Sequence, residues 1–479
     1  MITPEEIQTK AEAEGIHTSN VQRDYIFSWI LAGLYRQSNL ANQLILKGGN
    51  LYRKAYYPST RFSNDLDFTT ETGVDPANLM RELNGICEYI TAQTGIQFEQ
   101  DKNVLTDEVF IDDKKSSYKV RLYFKDFFGQ ESQMILKVNL DIAQFDKRYL
   151  PPIQTPLLHP YSDAELLATN IMAVKLEEAL ADKLKCLIQR RHSFDLFDLV
   201  HAIFIDKTIQ VDKTAMVQVF LKKTIFERSP GAARNLLVGV PFDLMKAYWA
   251  KLVCPKTTLF AFDDAVSMFS SGLAELFGGF STGTASEFAF YPAELRNKIM
   301  TAGQSQKLLR MRYHGYTRLV EPYSLKYKVT KDGTGREYFW GFDTTGGSSG
   351  NKTIKAFLNH DIEELELTDQ SFEPRYEIEL SKAGEVHDSL SYGNRGRRVA
   401  GILGQPTPSR TPTPARRRRL YSGFGDDKPY VIECTVCHKR FYRASQFDTT
   451  INSHKRKSSS RYPMDCYGTY GRYVGRKRR

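Results

Sequence analysis

Between Asn20 and Tyr35 the apolar residues Val21, Tyr25, Ile26, Trp29, Ile30 and Leu34 recur at helical spacing, with Ser19 or Asn20 available to cap the first turn. Then the pattern changes. Leu44-Ile45-Leu46 is a short apolar run, Gly48-Gly49 follows Lys47 directly, and Leu51-Tyr52-Arg53-Lys54-Ala55 suits a helix, so a strand, a tight turn and a helix start are predicted in that order. From Arg61 to Phe68 the polar residues Arg61, Ser63, Asp65 and Asp67 alternate with Phe62, Leu66 and Phe68, the period of a strand buried on one face. Asp65 and Asp67 should therefore project side by side. A second amphipathic helix is predicted from about 75 to 94, and alternation predicts strands over 104–110, 118–124 and 133–142. This order implies an α/β unit built on a mixed sheet, with the helix over 20–35 packed beneath the Gly-Gly turn.

After Pro151-Pro152, helix formers dominate 163–205, and 206–278 continues as helices around Phe242, Trp249, Phe269 and Phe277. Glycine and serine displace the apolar period over 278–283, which marks a boundary. Short strands are then predicted over 308–313, 318–328, 336–343, 353–357 and 362–367, a small β-rich, barrel-like domain. The chain divides on this reading into an α/β core over 1–160, a helical subdomain over 161–280, a β-rich domain over 295–385, a flexible basic linker over 393–427 rich in Pro, Thr, Ser, Gly and Arg, and a small module over 428–479.

Composition narrows the class. The chain has 479 residues, 41% of them hydrophobic and 25% charged, as in a soluble globular protein, and no apolar run approaches the ~20 residues needed to span a bilayer. No membrane partner is expected. The start, Met1-Ile2-Thr3-Pro4-Glu5-Glu6, lacks the basic and apolar regions of a secretory signal, so a cytoplasmic location is expected. The net charge of +10 concentrates toward the end of the chain, in Arg416 to Arg419 and Arg476-Lys477-Arg478-Arg479, which favours nucleic acid as partner. Cys87, Cys186 and Cys254 stand singly among apolar residues. Cys434 and Cys437, by contrast, have the spacing to grip one metal through two thiolates, and with His454 and Cys466 they would complete a tetrahedral Zn²⁺ site, His438 being the alternative to His454. Tyr430, Phe441, Tyr442, Tyr467 and Tyr470 would make a core too small to stand without the metal. Lys439, Arg440, Arg443, Lys455, Arg456 and Lys457 are interleaved there, so nucleic acid is the expected contact.

Three acids suggest chemistry at phosphorus. A phosphate could sit on the Gly48-Gly49 turn, where backbone N–H groups and the helix dipole converge. Asp65 and Asp67, with Asp141 on the strand predicted to pair beside them, are hard oxygen donors suited to two Mg²⁺ ions about 4 Å apart, the arrangement that stabilises entering and leaving oxygens in an in-line displacement. The plain alternative is a solvated strand decorated by Asp-x-Asp. Ser63 could donate to a phosphate and Arg61 neutralise one, or both could hold the turn together. Arg53 and Lys54 are basic enough to meet nucleotide or RNA, or are simply solvated.

Leu46-Lys47-Gly48-Gly49 with Arg61-Phe62-Ser63-Asn64-Asp65-Leu66-Asp67-Phe68 resembles the AbiEii/AbiGii toxin family, nucleotidyltransferases of the polymerase-beta-like superfamily found in abortive-infection phage-defence and type IV toxin–antitoxin systems. The family's later motifs have counterparts in Asp182-Lys183-Leu184, Arg190 and Asp195-Leu196-Phe197-Asp198, so the resemblance spans most of 20–205. It departs at Phe194, where the family often has arginine; Arg190 and Arg191 would supply that charge. The resemblance implies catalytic roles for Asp65, Asp67, Asp141, Lys183 and Asp195, nucleotide binding by Lys47, Gly48, Gly49, Ser63 and Lys183, and an encoded antitoxin partner. The implied reaction is transfer of a nucleoside monophosphate from NTP to RNA, the acceptor being the tRNA 3′ end; the motifs assign no base, and Asp141 is the candidate because it would sit nearest the attacking side. Asp198 is expected at the surface, as a cap or ion pair. Residues 295–380, through Arg318-Leu319-Val320-Glu321-Pro322-Tyr323, resemble a WYL domain, in which Arg310, Arg312, Arg318, Tyr313 and Tyr323 would contact phosphates and bases or, as aromatics, fill the core. The alternatives are transfer to a protein hydroxyl, or a nucleic-acid-binding WYL/zinc regulator whose transferase core is inactive.

Overall fold

The computed structural model of the chain describes residues 1–109, 116–127, 135–283, 290–329, 335–375, 378 and 380, and the short strands 430–434, 440–443, 454–455, 465–466 and 471–476. It forms two units, Met1–Ser409 and Arg410–Arg479. The linker expected over 393–427, and with it Arg416 to Arg419, lies outside the described residues.

In the first unit, α1 (Pro4–Glu14) and α2 (Thr18–Gln37) lead into β1 (Ile45–Lys47), the short α3 (Gly48–Leu51) and β2 (Asp65–Thr69). Next come α4 (Pro76–Thr94), β3 (Val104–Val109), β4 (Ser116–Lys125), β5 (Ile135–Ala143), β6 (Ile153–Pro156) and β7 (Asn170–Ala173). The sheet has the order β3-β4-β5-β2-β1-β7-β6, with β2 parallel to β5, β1 parallel to β7 and the remaining pairs antiparallel. The mixed sheet expected from alternation is therefore present. Leu66, Phe68, Val120, Leu122, Val138, Leu140 and Ile142 from one face enter a common core with Trp29 and Ile30 of α2 and Leu83 and Ile86 of α4. Each such side chain contributes about 1.5–3 kcal/mol on burial. The other face keeps the polar residues half-open, as the alternating burial along β5 shows.

The stretch over 163–205, where helix formers dominate, is not helical throughout: β7 runs through it, and helix begins with α5 (Leu176–Gln189) and α6 (Ser193–Val200). Four residues pairing with β1 and β6 carry too little period to announce a strand. Helices α7 (Lys213–Lys222), α8 (Pro230–Val238), α9 (Asp243–Trp249) and α10 (Phe262–Phe277) share the core of the sheet. After them, α11 (Ala293–Ser305) packs on a five-stranded antiparallel sheet of β8 (Lys307–Tyr313), β9 (Tyr316–Val329), β10 (Gly335–Asp343), β11 (Ile354–Phe357) and β12 (Ile362–Ser371), in the order β11-β10-β9-β8-β12. α11 reaches the α5–α6 corner, where Arg191 donates to Asn297 Oδ1 at 2.7 Å, and the Arg296 guanidinium pairs with the buried Glu337.

The second unit contains a sheet of β13 (Tyr430–Cys434), β14 (Arg440–Arg443) and, following the β15 (His454–Lys455)–β16 (Asp465–Cys466) pair, β17 (Gly471–Arg476). Ile432 and Cys434 are buried with Phe441 against them. The register of β15 and β16 sets His454 opposite Cys466; Cys437 lies outside the described residues. Among the described residues no helix is long and apolar enough to cross a membrane.

Candidate active site

Gly48 leaves β1 with φ +72°, a left-handed conformation that side chains other than glycine resist. A Cβ there would overlap the Asp67 carboxylate, and one on Gly49 would crowd the Ser63 hydroxyl and approach Arg61 Nη2 at 3.1 Å. Both glycines are thus needed for the backbone to lie against the acid strand. Asn50 fastens the turn by donating to the Asp65 carbonyl at 2.7 Å. Lys47, Gly48, Gly49 and Ser63, separated in sequence, come together here.

Strand register aligns the acids. Lys47 pairs with Asp67, Asp67 with Asp141, and Asp65 with Asn139, so β2 and β5 present all three carboxylates on one face. Asn139 donates to Asp65 Oδ1 at 2.7 Å. Burial and the neighbouring Asp65 charge push the Asp67 carboxyl up to about 6, against the pull of Lys47, Lys183 and Arg190. Among the described residues no ready-made cluster of three His, Cys, Asp or Glu side chains is formed. The donor chemistry nevertheless fits Mg²⁺: carboxylates that repel one another, in a cradle that a single Cβ would fill, gain from a divalent cation.

Beside the acid row lies a buried ionic network. Lys183 Nζ sits 3.0 Å from Asp195 Oδ1 and 2.8 Å from Asp198 Oδ2. Arg190 grips Asp195 through Nε and Nη2 at 2.9 and 3.1 Å, and Arg61 grips Asp198 through Nε and Nη2 at 2.7 and 2.6 Å. Burial would raise the Asp195 carboxyl, but Arg190 and Lys183 hold it well below the usual range; Arg61 and Lys183 do the same for Asp198. Burial likewise disfavours the Lys183 ammonium, yet Asp198 and Asp195 raise its pKa and keep it charged.

These contacts resolve several expectations. Asp198 is paired, as expected, but fully enclosed instead of at the surface. Arg61 holds the turn to α6, and the charge missing at Phe194 comes from Arg190, since Arg191 turns toward α11. Asp195, also enclosed, positions Lys183 and Arg190. Arg53 and Lys54 do not face solvent: Arg53 Nε lies 3.0 Å and Lys54 Nζ 2.8 Å from Asp24, a buried acid of α2. Asp24, Asn139 and Asp146 also take part without being predicted from the sequence, the last paired with Lys47 at 3.1 Å. For Asn139 the strand period was a usable signal, because it shares a face with Asp141.

In the second sheet Arg318 is buried on Asp343 at 2.5 Å and Tyr323 is buried with its hydroxyl on Glu321. Arg310 and Arg312 are exposed beside Glu366 and Glu363, while Tyr313 donates to Asp361 at 3.0 Å. The core alternative therefore describes Tyr323, and an internal ion pair describes Arg318.

A glycine turn thus lies against carboxylates on adjacent strands, flanked by buried lysine and arginine. Residues 29–252 match the family model described as "Nucleotidyl transferase AbiEii toxin, Type IV TA system", and this segment is an AbiEii nucleotidyltransferase toxin family domain. Among solved structures, the chain is similar to MenT4, a nucleotidyltransferase toxin from Mycobacterium tuberculosis H37Rv, at 16% identity over 59% of this chain and 91% of that one, TM-score 0.36. It is also similar to proteasome accessory factor B/C of Arthrobacter aurescens, at 19% identity over 30% of this chain and 21% of that one, TM-score 0.15. No curated protein matches.

Proposed function

We propose that the chain is a cytoplasmic toxin that transfers a nucleoside monophosphate from an NTP to an RNA acceptor, the tRNA 3′ end, and is restrained by a cognate antitoxin. The observation that carries this reading is the alignment of Asp65, Asp67 and Asp141 across β2 and β5 against the Gly48-Gly49 turn. The turn and the Ser63 hydroxyl receive the triphosphate. Arg190 and Lys183, fixed by Asp195 and Asp198, supply positive potential where charge develops on the phosphoryl oxygens. Asp141 accepts the proton of the acceptor hydroxyl as the new O–P bond forms and the bond to pyrophosphate breaks. Asp65, Asp67 and Asp141 would hold Mg²⁺, which when bound neutralises the transferring phosphate. Outside this site, Cys434, Cys437, His454 and Cys466 would hold a structural Zn²⁺; the buried Cys434 and the His454–Cys466 register support that assignment. The WYL-like sheet and the basic zinc module would govern when the site acts and on which nucleic acid.

The test is incubation of the full chain with each labelled NTP and total tRNA, followed by separation of RNA from protein. Label at the RNA 3′ end is expected. Label on protein would replace the acceptor with a protein hydroxyl, and no label with any NTP would favour the regulator reading.

A further inference from the structure

The polar face of the first sheet does not end at the carboxylates. Register continues the Asp65–Asn139 row onto Arg121 of β4, and the next row pairs Tyr123 with Lys137. These side chains share a face because partnered residues alternate in step. At the same end of the sheet, Arg23 projects from α2, held by Asn20 Oδ1 at 2.9 Å and close enough to feel the Asp65 charge. Burial and the neighbouring Arg121 and Arg23 push the Lys137 ammonium down to about 8, with Asp65 opposing. Positive charge is thus crowded at the half-buried edge of the acid row, across the sheet from the glycine turn. β4 lies two strands, about 10 Å, from β2.

We propose that Arg23, Arg121, Lys137 and Tyr123 form the acceptor subsite, binding the backbone phosphates and stacking one unpaired base of an RNA 3′ end so that its terminal hydroxyl meets Asp141. The proposal rests on the nucleotidyltransferase reading above. Cations interleaved with an aromatic ring suit a single strand, since phosphates position the chain and a ring accepts any base. The side of the sheet opposite the Gly48-Gly49 turn is where an acceptor must approach if the turn holds the triphosphate.

Two measurements on the full chain test this. First, Arg121→Gln/Lys137→Gln should raise the KM for total tRNA about tenfold, leave the KM for NTP unchanged, and lower the slope of log KM against log salt by about 1.4, at about 0.7 per phosphate contact on a single strand. Second, Lys137, whose ammonium loses its proton readily, should be acylated by an N-hydroxysuccinimide ester near pH 8 and be protected by total tRNA, as read by mass spectrometry. Transfer to RNA by the wild type with an unchanged tRNA KM in the double variant would overturn the subsite and leave the transferase reading intact. Lys137 equally reactive with and without tRNA would also overturn it. Protection of Lys137 in a chain that labels no RNA would leave RNA binding at this face but overturn both its acceptor role and the transfer reading.

Discussion

Replacing Asp198 with asparagine withdraws one negative charge from between two buried cations. Arg61 would lose contacts of 2.7 and 2.6 Å and keep the Phe62 carbonyl at 3.1 Å, while Lys183 would lose a contact of 2.8 Å and keep Asp195 at 3.0 Å. Removing one partner of a buried ion pair costs about 3–5 kcal/mol, because the other charge stays desolvated. The amide still offers hydrogen bonds and Lys183 keeps a carboxylate, so the lower end, about 3 kcal/mol, is expected. That is roughly a 150-fold shift in the unfolding equilibrium. Urea denaturation read by tryptophan fluorescence suits the measurement, since Trp29 and Trp249 lie in the core that the network braces. Asp263→Asn, which breaks the exposed Lys246–Asp263 pair, should cost less than about 1 kcal/mol and serves as control. In Arg61→Gln/Asp198→Asn the losses should be less than additive, because the second change removes the charge stranded by the first. Wild-type stability in Asp198→Asn, or strict additivity in the double variant, would refute the network as described.

Gly48→Ala should destabilise the chain by at least about 1–2 kcal/mol through its left-handed backbone and abolish transfer by displacing the Asp67 carboxylate; an active variant with wild-type melting would count against the cradle. Magnesium binding should depend on pH because the Asp67 carboxyl is raised to about 6. The metal needs the ionised form, so the apparent affinity should be flat above about pH 6 and fall roughly tenfold per unit below it. Calorimetric titrations at pH 5, 6 and 7.5 check this, and equal affinities would contradict it. The purified chain should carry about one zinc by mass spectrometry of metals, lost in Cys437→Ser; a zinc-free wild type would remove that assignment.

The acid-bearing strands were legible because Asp65-Leu66-Asp67-Phe68 and Val138-Asn139-Leu140-Asp141 alternate cleanly, and one apolar face buried in a core leaves the other face no choice of register. Glycine at 48 and 49 was legible for a similar reason: few other needs place two glycines between a strand and a helix. Pairings between distant residues were not. Arg61 meets Asp198 across 137 positions and Lys54 meets Asp24 across 30, so nothing in their local sequence separates a buried cation from a solvated one. β6 and β7 escaped because each is four residues long and is defined by the strand beside it. α11 was passed over, although its contact through Asn297 ties the second sheet to the corner that carries Arg190.

Nucleotide transfer by chains carrying Asp65→Ala or Asp67→Ala tests the central claim most directly. With labelled NTP, Mg²⁺ and total tRNA, the wild type should label RNA, and each variant should fall to background while keeping a cooperative melt. Undiminished labelling by either variant would contradict the assignment of these carboxylates as the working end of the site.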